Sequence, residues 1–363
     1  MGTPSFHAQH APMGAHSSFT VGMFGAEGGM ALEKGGPAES GVFVGYRSAS
    51  GNVCCLPFFK DVSNDAVRYS ASENGRQPGM VIFGEPEVSR EYHWATDRFL
   101  APGVDFRIAS PFFPIPDPAV APAEALKFAS CPATFLTLTV ENDSSEAWEG
   151  FFALENHRLW SALPADSGLK GFTSRGEMGF ACRGDVRGFS DFNIERARGG
   201  RHSTPAFMLG PVAGIRFTVP AGQVRSVDLV LGYFVSGHAS FNQPSAYEYT
   251  RHFVDLQDVL AYAVEHRPRY LEEAEARDRE LDALPISDSR KFLLCHATRS
   301  YYGSTEWLTT SSGEPLWVVN EGEYLMMNTL DLTVDMMFFE LRFNPWTVRN
   351  VLEQFVERYA YVD

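Results

Sequence analysis

What most constrains this chain is a change of hydrophobic period near Ser245. From about residue 41 onward, apolar residues fall in short extended runs: 41–45, 80–83, 135–140, 214–219 and 227–233. Breakers separate them, such as the proline-rich stretch 111–118 and Pro220-Ala221-Gly222. Near the start, the alternation of Phe19, Val21 and Met23 predicts one early strand in a Gly/Ala/His/Ser-rich stretch. Beyond Ser245 the spacing turns helical. Leu256, Val259, Leu260 and Ala263 share a face, and a charged run over 269–282 carries Glu273 and Arg277 at i,i+4. Asp288-Ser289-Arg290 starts another helix, bearing Phe292, Leu293, Cys295 and His296. A last helix opens at Asn344-Pro345, with Asn344 as N-cap and Pro345 at the first helical position. Strands followed by helices predict a β + α chain in two parts. The expected units are an antiparallel β-sandwich over 1–245, a helical linker over 246–285 and a helical unit over 286–363.

Composition narrows the function classes. With 363 residues, 44% of them hydrophobic and 13% aromatic, a well-filled interior is expected. The 45 acids against 30 bases give a net charge of −15, which argues against nucleic acid or an anionic membrane as partner. The five cysteines, at 54, 55, 131, 182 and 295, are odd in number and lack C-x-x-C spacing, so reduced buried thiols are expected. No apolar run of 18 residues and no secretion signal are visible, which predicts a cytoplasmic protein without a membrane span. In that setting the sequon Asn142-Asp143-Ser144 reads as an ordinary loop. His7, His10 and His16 cluster near the start without an acid at ligand spacing, so no metal is expected. Signatures for metalloproteases, α/β-hydrolases and nucleotide binding are absent, and no cofactor is called for.

Chemistry concentrates between Trp317 and Trp346. Trp317, Val318 and Val319 lead into Asn320-Glu321-Gly322-Glu323-Tyr324, and an apolar, buried-looking helix pattern broken by Asp331 and Asp335 follows. An extended entry, a glycine beside carboxylates and a helix behind them can present an acid in a cleft. Glycoside hydrolysis needs two carboxyls across the scissile bond. Glu321 and Glu323 are candidates by type, with Glu323 read as a hydrogen-bonding group instead of a second catalytic acid. Asn320 could hold a sugar hydroxyl. Trp317, Tyr324 and Trp346 could stack on a pyranose face or simply fill the core. Met326, Met327, Met336 and Met337 read as helix core.

The run NEGEY-x-MMNT-x-DLTVD, with residues 296–303 (HATRSYYG) before it, resembles glycoside hydrolase family 52, the retaining β-xylosidases. Residues 10–15 (HAPMGA), Ser18-Phe19-Thr20, residues 344–348 (NPWTV) and Val356-Glu357-Arg358-Tyr359 extend the likeness over the whole chain. The resemblance implies a β-sandwich followed by the first helices of an incomplete (α/α)6 barrel, because family members continue well past the point matching Asp363. It implies Glu321 as nucleophile and an acid/base Asp that no residue of this chain matches. It implies xylo-oligosaccharide as substrate, cleaved from the non-reducing end, and a homodimer as a candidate assembly. The pattern Tyr324-x-Met326-x-Asn328-Thr329-x-Asp331 also resembles the bile-acid β-glucosidase family, which implies substrate contacts for Asn328 and Asp331. Asp335 is expected to pair with an arginine. The competing expectation is a non-catalytic sugar-binding β-sandwich or an inactive fragment.

Overall fold

A computed structural model describes residues 7–22, 25–33, 38–60, 80–191, 209–240, 244–322 and 326–359. The strand-rich half is dominated by one sheet of 13 strands, antiparallel except where Val53–Cys55 runs parallel to Met80–Ile82. Its long members are Ala133–Glu141, Trp148–Ala162, Leu209–Val219 and Val224–Tyr233. Alternation along the first puts Leu136, Leu138 and Val140 in one core and Phe135 in the core on the opposite face, while Thr139 bonds Ser226 across the ladder. The sheet curls so that residues of Val42–Arg47 and Val104–Ala109 share one core with Phe152, Phe172 and Phe180. The expected early strand is Ser17–Val21, the middle of a three-stranded sheet; Met23 lies outside the described residues. Asn142 is buried, its amide spent on the carbonyls of Glu146 and Val219, so the sequon is a closed turn.

Five α-helices are described: α1 (Ala123–Ser130), α2 (Leu256–Asp282), α3 (Asp288–Gly303), α4 (Leu330–Phe343) and α5 (Pro345–Gln354). The two helical stretches read between 256 and 282 are one helix; Asp255 caps it through the Asp258 N–H. Asn344 does precede α5, but its side chain does not cap it. Its Oδ1 accepts from the Ile115 N–H at 2.9 Å, tying α5 to the β half. A second sheet of five short strands joins Pro244–Tyr247 to the hairpin Thr305–Thr310 and Pro315–Glu321. Strands therefore recur within the part expected to be helical. All six residues of Thr305–Thr310 are buried, so the run has no alternation to betray it.

The joint between the two halves is a buried charge network. Asp97 accepts from Arg90 Nε at 2.9 Å, from Arg299 of α3, and from His10 Nε2 at 3.0 Å. His10 Nδ1 lies 2.9 Å from the Ser110 hydroxyl, which can donate to a neutral imidazole. Next to it, Asp278 of α2 accepts from the Ala95 N–H and the Thr96 hydroxyl, and Trp94 donates to Thr298. Arg90 and Arg299 hold the Asp97 carboxyl far below the usual range despite its burial. Burial, with Arg299 beside it, lowers the His10 pKa to about 4.

This gives a pH signature. Unfolded, His10 takes up a proton near pH 6.5, whereas the folded ring resists it down to about 4. The stability this group contributes is complete above pH 6.5 and is lost as pH falls toward 4, by about 3 kcal/mol at most. His10→Gln is accordingly expected to flatten the fall of the melting temperature between pH 6.5 and 4 relative to the parent protein. Equal slopes for the two proteins would contradict it.

Contrary to the reading of a buried helix, α4 leaves one stripe in solvent. Leu330, Val334, Phe338 and Leu341 lie on one face and are exposed, Phe338 by 77%, with Leu352 and Val356 nearby in sequence also exposed. The protein is expected to bind the dye anilinonaphthalene sulfonate, and Val334→Lys with Phe338→Lys should reduce that fluorescence severalfold at unchanged melting temperature. Undiminished fluorescence would show that the dye reads another surface. No described helix is long and apolar enough to cross a membrane.

Candidate active site

The hairpin carries the candidate acid. Trp317, Val318 and Val319 are buried in the strand Pro315–Glu321, which anchors the strand in the core shared with α5. The pairing Thr305↔Val319 ends the partner strand before Asn320 and Glu321, which pair instead with Met327 and Met326. Glu321 is thus the last residue of its strand, half-buried, followed by Gly322 at φ +47 with open space around its Cα. Such a left-handed conformation suits glycine. Among the described residues Glu321 has no ion-pair partner.

Asn320 is buried (3% exposed) and its orientation is fixed by chemistry. Its Nδ2 lies 2.5 Å from Glu306 Oε1, and a carboxylate can only accept, so nitrogen must face it. The backbone N–H of Asn320 bonds the Ser304 carbonyl at 2.8 Å. Glu306 is itself buried, and His16 Nδ1 lies 3.2 Å from the same Oε1. His16 arrives there because the segment after His10 docks on the hairpin. The Trp307 N–H donates to the Gly14 carbonyl, the Gly14 N–H to the Thr305 hydroxyl and the His16 N–H to the Thr305 carbonyl. Gly14 sits at φ +65, and a Cβ there would meet Trp307 Cβ at 2.6 Å, so only glycine permits the approach. In the sequence His16 stands beside His7 and His10, and Glu306 carries no motif of its own. The fold separates the three histidines instead, His10 going to Asp97 and His16 to Glu306. Among the described residues no His/Cys/Asp/Glu group is arranged to hold a metal.

The other sequence candidates lie as follows. Asn328, at φ +49, clasps the strand: its Oδ1 accepts from the Val319 N–H at 2.8 Å and its Nδ2 donates to the Trp317 carbonyl at 3.0 Å. Its amide is therefore spent on backbone. Asp331 is exposed in the first turn of α4, where the Thr329 hydroxyl and the Leu332 N–H keep its carboxyl below the usual range. Glu323 and Tyr324 lie outside the described residues. Trp317 and Trp346 are core, packed edge to face on each other, with their indole N–H groups given to the Tyr301 hydroxyl and the Ile115 carbonyl. Asp335 is exposed and, among the described residues, pairs with no arginine. Met326 and Met327 form a short strand, and only Met336 packs on the core as a helix residue. Cys131, Cys182 and Cys295 are free, and burial pushes their thiols up to about 12.

A carboxylate at a strand end, backed by a buried amide and a glycine turn, is an arrangement suited to work on a polyol or a glycoside. Residues 19–363 match Glycosyl hydrolase family 52, and the chain belongs to that family. It is 36% identical over 375 residues to a β-xylosidase of Geobacillus stearothermophilus, covering 99% of this chain and 53% of that protein. A second β-xylosidase of the same organism is 33% identical over 381 residues, covering 99% of this chain and 61% of that protein. The chain thus spans between half and two thirds of the length of these relatives.

Proposed function

We propose that this chain carries the nucleophile of a retaining exo-β-1,4-xylosidase, with Glu321 attacking the anomeric carbon and water later releasing the sugar. The observation that supports it best is the placement of Glu321 at the strand end, between buried Asn320 and the open turn at Gly322. The substrate would be xylo-oligosaccharide, shortened from its non-reducing end in the cytoplasm. The division into a β unit over 1–245, a linker over 246–285 and the start of a catalytic (α/α)6 barrel over 286–363 belongs to the same reading. The relatives' additional length would supply the acid/base and the rest of that barrel, and the apolar stripe of α4 is where such helices would pack. Asp331, Glu323 and Tyr324 remain proposed sugar contacts. Asn328 is assigned to holding the strand that bears Glu321.

The test is the stereochemistry of an aryl β-xyloside's hydrolysis, followed by proton NMR. The β anomer of xylose should appear first and mutarotate afterwards. Initial release of the α anomer would exclude a double displacement, and release of glucose or arabinose in preference to xylose would move the substrate class.

A further inference from the structure

Buried polar atoms in folded proteins are nearly always hydrogen-bonded, because an unpaired one costs about 1–3 kcal/mol. Next to Glu321 in sequence, Asn320 shares one buried carboxylate with His16, and each of the two leaves another polar atom unpaired. Asn320 gives Nδ2 to Glu306, and its Oδ1 is buried without a partner among the described residues. His16 Nδ1 lies 3.2 Å from the same oxygen, and its Nε2 is likewise buried without a partner among the described residues. His16 also stands at φ +41, a left-handed conformation rarely taken by a non-glycine residue. Backbone bonds on both sides hold it there: its N–H reaches the Thr305 carbonyl, and its own carbonyl accepts from the Glu33 N–H. Strain of this kind persists where the surroundings over-determine it, and here they bring an imidazole to the residue preceding Glu321.

We propose that His16, oriented by Glu306, is a specificity-determining contact for the sugar held against Glu321. With Nδ1 facing Glu306, the ring turns Nε2 to its other side, and Asn320 presents Oδ1 as an acceptor. Asn320 Oδ1 requires a donor, His16 Nε2 requires a partner that can donate or accept, and the groups of a neutral sugar that meet both needs are its hydroxyls. Glu306 is a positioning residue: it touches no sugar and sets which face of each partner is free. The inference rests on the reading of Glu321 as the residue that meets the sugar. It adds that the N-terminal segment, through His16, takes part in choosing that sugar.

The test is binding of methyl β-D-xylopyranoside and its 2-, 3- and 4-deoxy analogues, by titration, to the parent protein, His16→Gly and Asn320→Ala. Glycine adopts φ +41 without strain, and His16→Asn, which also tolerates it, serves if the glycine variant is unstable. In the parent, loss of one particular hydroxyl should weaken binding about tenfold. In the His16 variants the same loss should cost less than about twofold, while the other two analogues behave as in the parent. Glu306→Gln should blunt the same analogue effect without altering the other two. A His16 variant that weakens all four ligands by one common factor has lost only structure, and the proposal fails. Trapping of the parent by a 2-deoxy-2-fluoro-β-xyloside with an activated leaving group is followed in parallel. Sugar binding with no covalent adduct would sink the catalytic reading while the analogue comparison still judges this one, and no binding of any sugar would overturn both.

Discussion

Replacing Asp97 by alanine is expected to destabilise the protein by about 3–5 kcal/mol, enough to remove most of it from the soluble fraction at 37 °C. The cost does not come from the lost contacts alone. Arg90 and Arg299 are both buried, and the Asp97 carboxylate compensates their charge. Without it two buried guanidinium groups lose the carboxylate they share, and His10 loses its Nε2 partner. Asp97→Asn keeps the shape and part of the hydrogen bonding but not the charge, so it should fall between parent and alanine variant. Denaturant melts of the three proteins check the order. An Asp97→Ala protein within about 1 kcal/mol of the parent would mean that water reaches the arginines and that the joint is not the dry staple described.

The second large effect falls on activity. Glu321→Gln is expected to reduce xyloside hydrolysis on the order of 10⁴-fold or more, since an amide cannot form the glycosyl-enzyme. The side chain is half-buried at a strand end and has no described ion pair, so its replacement should leave the melting temperature nearly unchanged. Glu321→Ala with added azide should regain turnover and release a xylosyl azide of α configuration, because a small anion then attacks from the vacated side. Hydrolysis by Glu321→Gln at more than a tenth of the parent rate would remove Glu321 from the nucleophile's role. So would azide rescue yielding the β product.

How far this was legible in the sequence differs between local and long-range features. Runs with alternation, such as 135–140 and 227–233, became strands, and the 256–282 pattern became a helix, because each depends on its own spacing. The strand Thr305–Thr310 was missed for the opposite reason: buried on both faces, it has no period to read. The motif singles out Asn320 and Glu321 as candidates, and in the fold both stand at the end of one strand. Glu306 was not found, since its meaning comes from His16, a residue from the far end of the chain that only the folded segment 11–16 delivers. The motif residues 296–303 likewise turn out to be largely mechanical. Thr298 and Arg299 bind the β half, and Tyr301 donates to Glu340 of α4. Asn344 was read correctly as the residue before a helix and wrongly as its cap, because its side chain answers to a distant backbone N–H. A motif identifies such residues without telling whether they touch a substrate or hold the fold.

The claim that Glu321 is the attacking carboxylate is tested most directly by covalent trapping. The protein is incubated with a 2-deoxy-2-fluoro-β-xyloside bearing an activated leaving group, which departs without acid assistance, and is then weighed intact and as peptides. A mass gain of one fluoro-sugar, confined to the peptide that holds Glu321 and absent from Glu321→Gln, is the predicted result. A sugar mapped to any other residue, or a folded and sugar-binding protein that acquires none, would contradict it.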